Sequence, residues 1–160
     1  AAVASEGFVG TVVELLGEQR VAPERVALEI PVLVLERDFA TVGGRLRGLA
    51  AERLRLELSG VGAGSLPLEP LTEIAWSGWK LDDFLVKQAR QRPAMGALAS
   101  GLLGMARQMN IVSVAEQVDD ALGLTWLGVH RCALAQGAAL RRAVPADQLA
   151  AMIAELRKCA

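Results

Sequence analysis

Histidine and cysteine are nearly missing from this 160-residue chain: there is one of the first, His130, and two of the second, Cys132 and Cys159. Two cysteines do not make a disulfide framework, and their separation matches no zinc pattern. A reducing, cytoplasmic compartment is the simplest reading. His130 is the sole candidate base for a Ser–His or Cys–His arrangement. It neighbours Cys132 in sequence, but that alone makes no nucleophile–base pair, and a surface or strand-edge histidine is expected. An excess of either charge is missing too. The net charge of −1 offers no basic face for a nucleic acid polymer. The longest uncharged stretch, PAMGALASGLLGMA at 93–106, holds three glycines and is too short for membrane insertion as a spanning helix. No basic segment followed by an apolar block marks a signal peptide. The chain opens on AAVASEGF, without an initiator methionine, as a piece of a longer protein would.

What is present is hydrophobic substance. Apolar residues make up 52% of the chain, enough for one domain over residues 1–160 with a real core. Phe8, Val9, Val12, Val13, Leu15 and Leu16 recur at helical spacing, so residues 6–19 read as an amphipathic helix with Ser5 as its N-cap. Pro23 breaks the chain, and RVALEIPVLVL reads as a buried strand ending near Pro31. A helix is expected over 36–50. RLRLEL at 53–58 alternates as a strand does. A glycine loop follows, then a short turn or helix over 66–74 and a short strand at WSGWKLD. Residues 83–109 carry a helical pattern interrupted at Pro93. Its Met95, Met105 and Met109 are expected in the core or at an interface. NIVSVAE reads as a strand, DALGLTWLG as a short helix and RCALAQG as a strand. Leu149, Met152, Ile153 and Leu156 mark one face of a last helix over 146–157. Such alternation implies parallel strands joined by helical crossovers. A doubly wound open sheet and a piece of an eight-stranded barrel both satisfy it.

Gly60, Gly62 and Gly64 follow a strand, which raises the question of a phosphate cradle. A dinucleotide fingerprint needs G-x-G-x-x-G opening a helix. Here the third glycine position is Ser65, Pro67 follows, and no Gly-Lys-Ser/Thr is present. A tight loop beneath packed backbone is the expected role. Trp76, Trp79 and Trp126 could stack on bases, but packing or partner contact is expected, since no basic face accompanies them.

One polar residue sits near the end of several strands: Glu29 in VALEI, Lys80 in WKLDDFLV, Glu116 in IVSVAEQVD and Gln136 in CALAQG. In a barrel such ends converge on one mouth, where reactive groups stand. In this order the segments LEIPV (28–32), SGVGAG (59–64), KLDDFLV (80–86), VAEQVD (114–119) and QGAALRRAVP (136–145) resemble motifs of the EAL domain. Those motifs run L-E-I-T-E, D-D-F-G-T-G, K-I-D-x-x-F-V, V-A-E-G-V-E and Q-G-Y-x-F-x-x-P. The resemblance implies the α/β fold of a (β/α)8 TIM-like barrel of EAL type. The first strands, the Glu-Ala-Leu motif and a ligand asparagine would lie upstream of residue 1, which makes the barrel incomplete. It also implies bacterial cyclic di-GMP signalling, with magnesium or manganese as the family's metals.

The departures bear on chemistry. The paired metal-binding aspartates of D-D-F-G stand here as Ser59 and Gly60, and the second glutamate of L-E-I-T-E as Val32 after Pro31. Hard dications need oxygen anions, so neither metal nor cofactor is expected, and neither is hydrolysis. In V-A-E-G-V-E the glycine is Gln117 and the last glutamate Asp119; the aromatics after Gln136 are Ala138 and Leu140. By resemblance Glu29 would be a metal ligand, Lys80 would position the attacking water, Glu116 would be a base or ligand, and Gln136 would line the pocket. In an inactive domain Lys80 and Glu116 are vestigial, and pairs such as Lys80–Glu116 or Lys80–Glu29 hold the mouth together. Glu29, Asp82 and Gln136 are then the candidate ligand-binding residues. The expected function is a catalytically inactive regulatory or protein-interaction module. Its partner would be another protein or a second copy of the chain, docked through the apolar helix over 94–109. A metal-free cyclic di-GMP receptor is the alternative, and an active phosphodiesterase the third reading.

Overall fold

The structure, a computed structural model, describes residues 2–158. Cys159 and the side chain of Leu156 lie outside the described residues. The first helix, α1 (Phe8–Glu18), is capped by Gly7 in the left-handed conformation rather than by the Ser5 side chain. The Phe8 amide instead reaches back to the Ser5 carbonyl at 3.4 Å. A single 3₁₀ turn at Pro23–Arg25 leads into β1 (Ala27–Pro31). The strand stops at Pro31 as expected, but VLVL does not prolong an extended segment. Helix α2 begins at once and runs Val32–Ala51, broken by non-helical Asp38. The reason is packing: Val32 and Leu35, then Val42, Leu46 and Leu49, fall on one helical face and are buried there.

β2 (Arg55–Val61) continues through Ser59 and Gly60 instead of ending in a loop at residue 58. Ser59 is held by pairing with Pro31, and Val61 by pairing with Leu81. Gly60, at φ +77°, sits in the register irregularity between Leu58 and Val61. α3 (Leu68–Glu73), β3 (Trp76–Leu81), α4 (Asp83–Ala89) and α5 (Pro93–Gln108) follow, with Pro93 opening α5 where the helical pattern was interrupted. β4 (Val112–Ala115) and α6 (Ala121–Val129) precede β5, which is only Leu134–Ala135, shorter than RCALAQG suggested. His130 is therefore not on a strand edge; it caps α6, its ring stacked on Trp126 at 3.9 Å between centroids. α7 (Ala146–Lys158) leaves Leu149 and Ile153 exposed.

All pairings are parallel and the strand order is β1-β2-β3-β4-β5. Sequential order without reversal is the barrel arrangement; a doubly wound sheet would switch direction midway. Right-handed crossovers then put the helices on one side. Two apolar clusters fill that side. One gathers Val42, Leu46 and Leu49 of α2 with Leu56, Leu58 and Trp79 of the sheet. The other joins Leu81, Leu85, Leu103, Ala115 and Leu127. The α5 methionines Met95 and Met105, and Met109 after it, pack partly buried against these clusters. Trp76 and Trp79 are core residues, not a platform for bases.

The loop beyond β2 is set by contact. A Cβ on Gly62 would stand 2.3 Å from Leu85 Cδ2, and its φ is +98°; a Cβ on Gly60 would meet only Val32 at 3.7 Å. Only at Gly62 does a side chain collide with a core leucine in addition to straining the backbone. Gly62→Ala is therefore expected to cost about 3 kcal/mol, from overpacking plus left-handed strain. Gly60→Ala should cost about 1 kcal/mol, from strain alone. Urea unfolding of both variants checks the difference, and equal losses would refute the packing account.

Candidate functional site

Alternation along β2 puts Arg55, Glu57 and Ser59 on the face away from Leu56 and Leu58, which point into the helix-side core. Register carries this face across the sheet. Glu57 lies beside Glu29 of β1 and Gly78 of β3, and Lys80 stands two residues further along β3. Glu116 follows the end of β4. Lys80 is the convergence point. Its Nζ donates a hydrogen bond to Glu29 Oε1. It stands 3.6 Å from Glu116 Oε1 and 4.0 Å from Glu57 Oε2. Both pairings anticipated for Lys80 are thus present, with a third carboxylate beneath them.

Glu57 is the residue that motif reasoning missed. Its Oε1 also accepts from Arg55 Nη2 at 3.0 Å. The signal was available in RLRLELS: alternation alone puts Arg55, Glu57 and Ser59 on one face.

The Lys80 side chain is 9% exposed. Burial disfavours its charged form. The hydrogen bond to Glu29 and the fields of Glu29, Glu116 and Glu57 together outweigh that, and its pKa is raised from 10.5. Glu29, at 49% side-chain exposure, remains open to solvent.

The remaining predicted positions are placed differently. Ser59 contributes a hydroxyl and Gly60 no side chain to this end of β2, and buried Val32 lies beside Gly60. Asp82 is taken up in capping α4, its Oδ1 accepting from the Phe84 amide at 3.0 Å. Gln136 is fixed through its backbone, which bonds Ala115 and Val118. It also borders an open cavity of about 390 Å³ with Arg141 and Arg142. Gln117, in the motif's glycine position, has φ +51°. Asp119 accepts from the Ala138 amide at 3.1 Å, tying the two last motifs together. Among the described residues no three His, Cys, Asp or Glu side chains converge as a metal-ligand set. His130 and Cys132 do not pair. His130 Nδ1 lies 2.8 Å from the Trp126 carbonyl, while the Cys132 thiol donates to the Leu134 carbonyl. Burial pushes the Cys132 thiol pKa up, away from reactivity. No described helix is long and apolar enough to cross a membrane.

Two stability measurements follow. Lys80→Met leaves Glu29, Glu57 and Glu116 without the ammonium they share, a loss of about 2 kcal/mol near neutral pH after allowing for the exposure of Glu29. Because the Lys80 pKa is raised, its contribution is intact below the ordinary lysine value of 10.5 and is lost as pH rises through the higher folded value. The gap between the two proteins in urea unfolding should therefore be flat from about pH 7 to 10 and close above that. A gap that closes already at neutral pH would refute the assignment. Gln117→Gly relieves a left-handed non-glycine residue and should stabilise by about 1 kcal/mol, read in the same assay; a loss of stability would mean that the Gln117 side chain is needed.

The EAL domain family matches residues 1–143. The chain is 30% identical over 136 residues to an "uncharacterized signaling protein" of Caulobacter vibrioides, covering 85% of this chain and 17% of that protein. It is 26% identical over 151 residues to the bifunctional diguanylate cyclase/cyclic di-GMP phosphodiesterase MucR of Pseudomonas aeruginosa, covering 94% of this chain and 22% of MucR. The chain therefore spans less than a quarter of either relative. Among solved structures, the PaMucR phosphodiesterase in its c-di-GMP complex is similar at a TM-score of 0.86 and 26% identity, covering 92% of this chain and 60% of that one. The EAL domain of Mycobacterium smegmatis DcpA is similar at a TM-score of 0.84 and 24% identity, covering 94% and 68%, a likeness that bears on fold alone. The parallel five-stranded sheet is thus the corresponding stretch of an EAL barrel, and the chain belongs to the EAL domain family.

Proposed function

We propose that this chain is a catalytically inactive EAL domain of cyclic di-GMP signalling, acting in the cytoplasm by binding and regulation rather than by hydrolysis. The observation that carries the reading is the composition of the mouth. A pair of divalent cations needs several oxygen anions, and the positions that carry the family's aspartate pair hold Ser59 and Gly60. The three glutamates that remain nearby are turned toward the ammonium of Lys80. A cation of the protein's own already sits among them, and like charges repel. On this reading the residues present do not fit a magnesium or manganese pair, and no step is derived through one. The working contact is then with a protein, either another chain or a second copy.

One observation favours a second reading, a metal-free cyclic di-GMP receptor. The MucR phosphodiesterase, 26% identical, is known in a c-di-GMP complex. The mouth here retains polar Gln136 with Arg142 beside it. Against it stands the engagement of Lys80, which leaves that cation less available to a phosphodiester.

The test is direct. The chain and the full-length gene product are incubated with cyclic di-GMP and magnesium or manganese, and the products are separated by chromatography. No linear dinucleotide is expected. Turnover that disappears in Lys80→Ala or Glu116→Ala would overturn the proposal. Titration calorimetry with the nucleotide, metal omitted, separates the two binding readings: micromolar heat supports the receptor, and its absence the protein-contact module.

A further inference from the structure

Among the described residues the buried charged side chains are Lys80 and Glu57, and they face each other. The other two carboxylates around Lys80 are open to water, Glu29 at 49% and Glu116 at 29% side-chain exposure, against 12% for Glu57. That difference separates their roles. A solvated carboxylate can turn away from a lysine and be rehydrated at small cost. A buried one cannot, because its departure strands two charges in a poorly hydrated interior. Glu57 is also held from its other oxygen, which accepts from Arg55 at 3.0 Å. Its stem lies over Gly78, where an added Cβ would stand 3.0 Å from Glu57 Cγ and 3.2 Å from Cδ. The absence of a side chain at Gly78 is what makes room for the carboxylate.

We propose that Glu57 is a positioning residue: it is the standing counterion of Lys80, keeping the ammonium inside the sheet whether or not Glu29 and Glu116 are engaged elsewhere, with Gly78 as its required neighbour. The consequence concerns which ligands the mouth accepts. An anion that depends on Lys80, a phosphodiester among them, must draw it from a partner that cannot follow into water. The mouth thereby disfavours anionic ligands held by a lysine and leaves Glu29 and Glu116 as the groups free to contact something new. The positioning role of Glu57 depends on neither binding reading above; its consequence for anions weighs against the receptor.

Competitive acetylation with acetic anhydride, read by mass spectrometry, tests it. Lys87, 48% exposed at its side chain, is the internal reference. Lys80 should be protected relative to Lys87 in the wild type and should remain so in Glu29→Gln/Glu116→Gln. Adding Glu57→Gln to that pair should raise the Lys80 rate about tenfold, the equivalent of one lost contact of about 1.4 kcal/mol. Glu57→Asp should restore part of the protection. Release of Lys80 already in Glu29→Gln/Glu116→Gln, or no response to Glu57→Gln, would overturn the proposal. A second measurement does not depend on the triple variant folding. Gly78→Ala should lower the urea midpoint of the wild type and leave that of Glu57→Ala unchanged; additive effects in this cycle would overturn the pairing of Glu57 with Gly78.

Discussion

An ammonium group taken out of water stays charged only where carboxylates replace its hydration, and the polar face of this sheet is organised around that requirement at Lys80. Glu29, Glu57 and Glu116 come from β1, β2 and the end of β4. They are far apart in sequence and meet because parallel pairing brings these strands side by side in one register. A slip of one residue in β2 would turn Glu57 into the helix-side core and Leu56 or Leu58 toward the lysine. The cluster and the register therefore depend on each other.

The apolar side of the sheet supplies the rigidity that the polar side uses. Leu56, Leu58 and Trp79 are fully buried and fix β2 and β3 against α2. Leu81 and Leu85 do the same for the turn from β3 into α4, and Leu85 lies against the backbone of Gly62. The loop beyond β2 is thus positioned by a leucine from the next crossover. Strand tips, loop and lysine are parts of one packed arrangement.

Against this background the departures from the family's motifs form a consistent set. The positions that the resemblance matches to the family's acids at the end of β2 hold Ser59 and Gly60, the neighbouring Val32 is buried, and Gln117 after Glu116 has φ +51°. The fold of the barrel segment is kept all the same. Family membership consequently speaks firmly about architecture, which rests on apolar patterning. It speaks less directly about chemistry, which rests on a few charged positions.

Much of the architecture was legible in the chain itself. The alternation of helix and strand, the stop at Pro31, the interruption at Pro93 and the mouth positions of Glu29, Lys80 and Glu116 all follow from local pattern and motif. The early start of α2 at Val32, the extension of β2 through Gly60 and the brevity of β5 do not, because each is decided by partners distant in sequence. Asp82 was legible as a mouth residue but not as a helix cap. The amino-acid sequence by itself determined the order of elements, the apolar faces and the uncharged pair at 59 and 60, since these depend on residue type and spacing. Only the tertiary structure decided that Glu57 shares Lys80 with Glu29 and Glu116, and that Gly78 leaves room for it, because charge pairing and steric fit are properties of distances between strands.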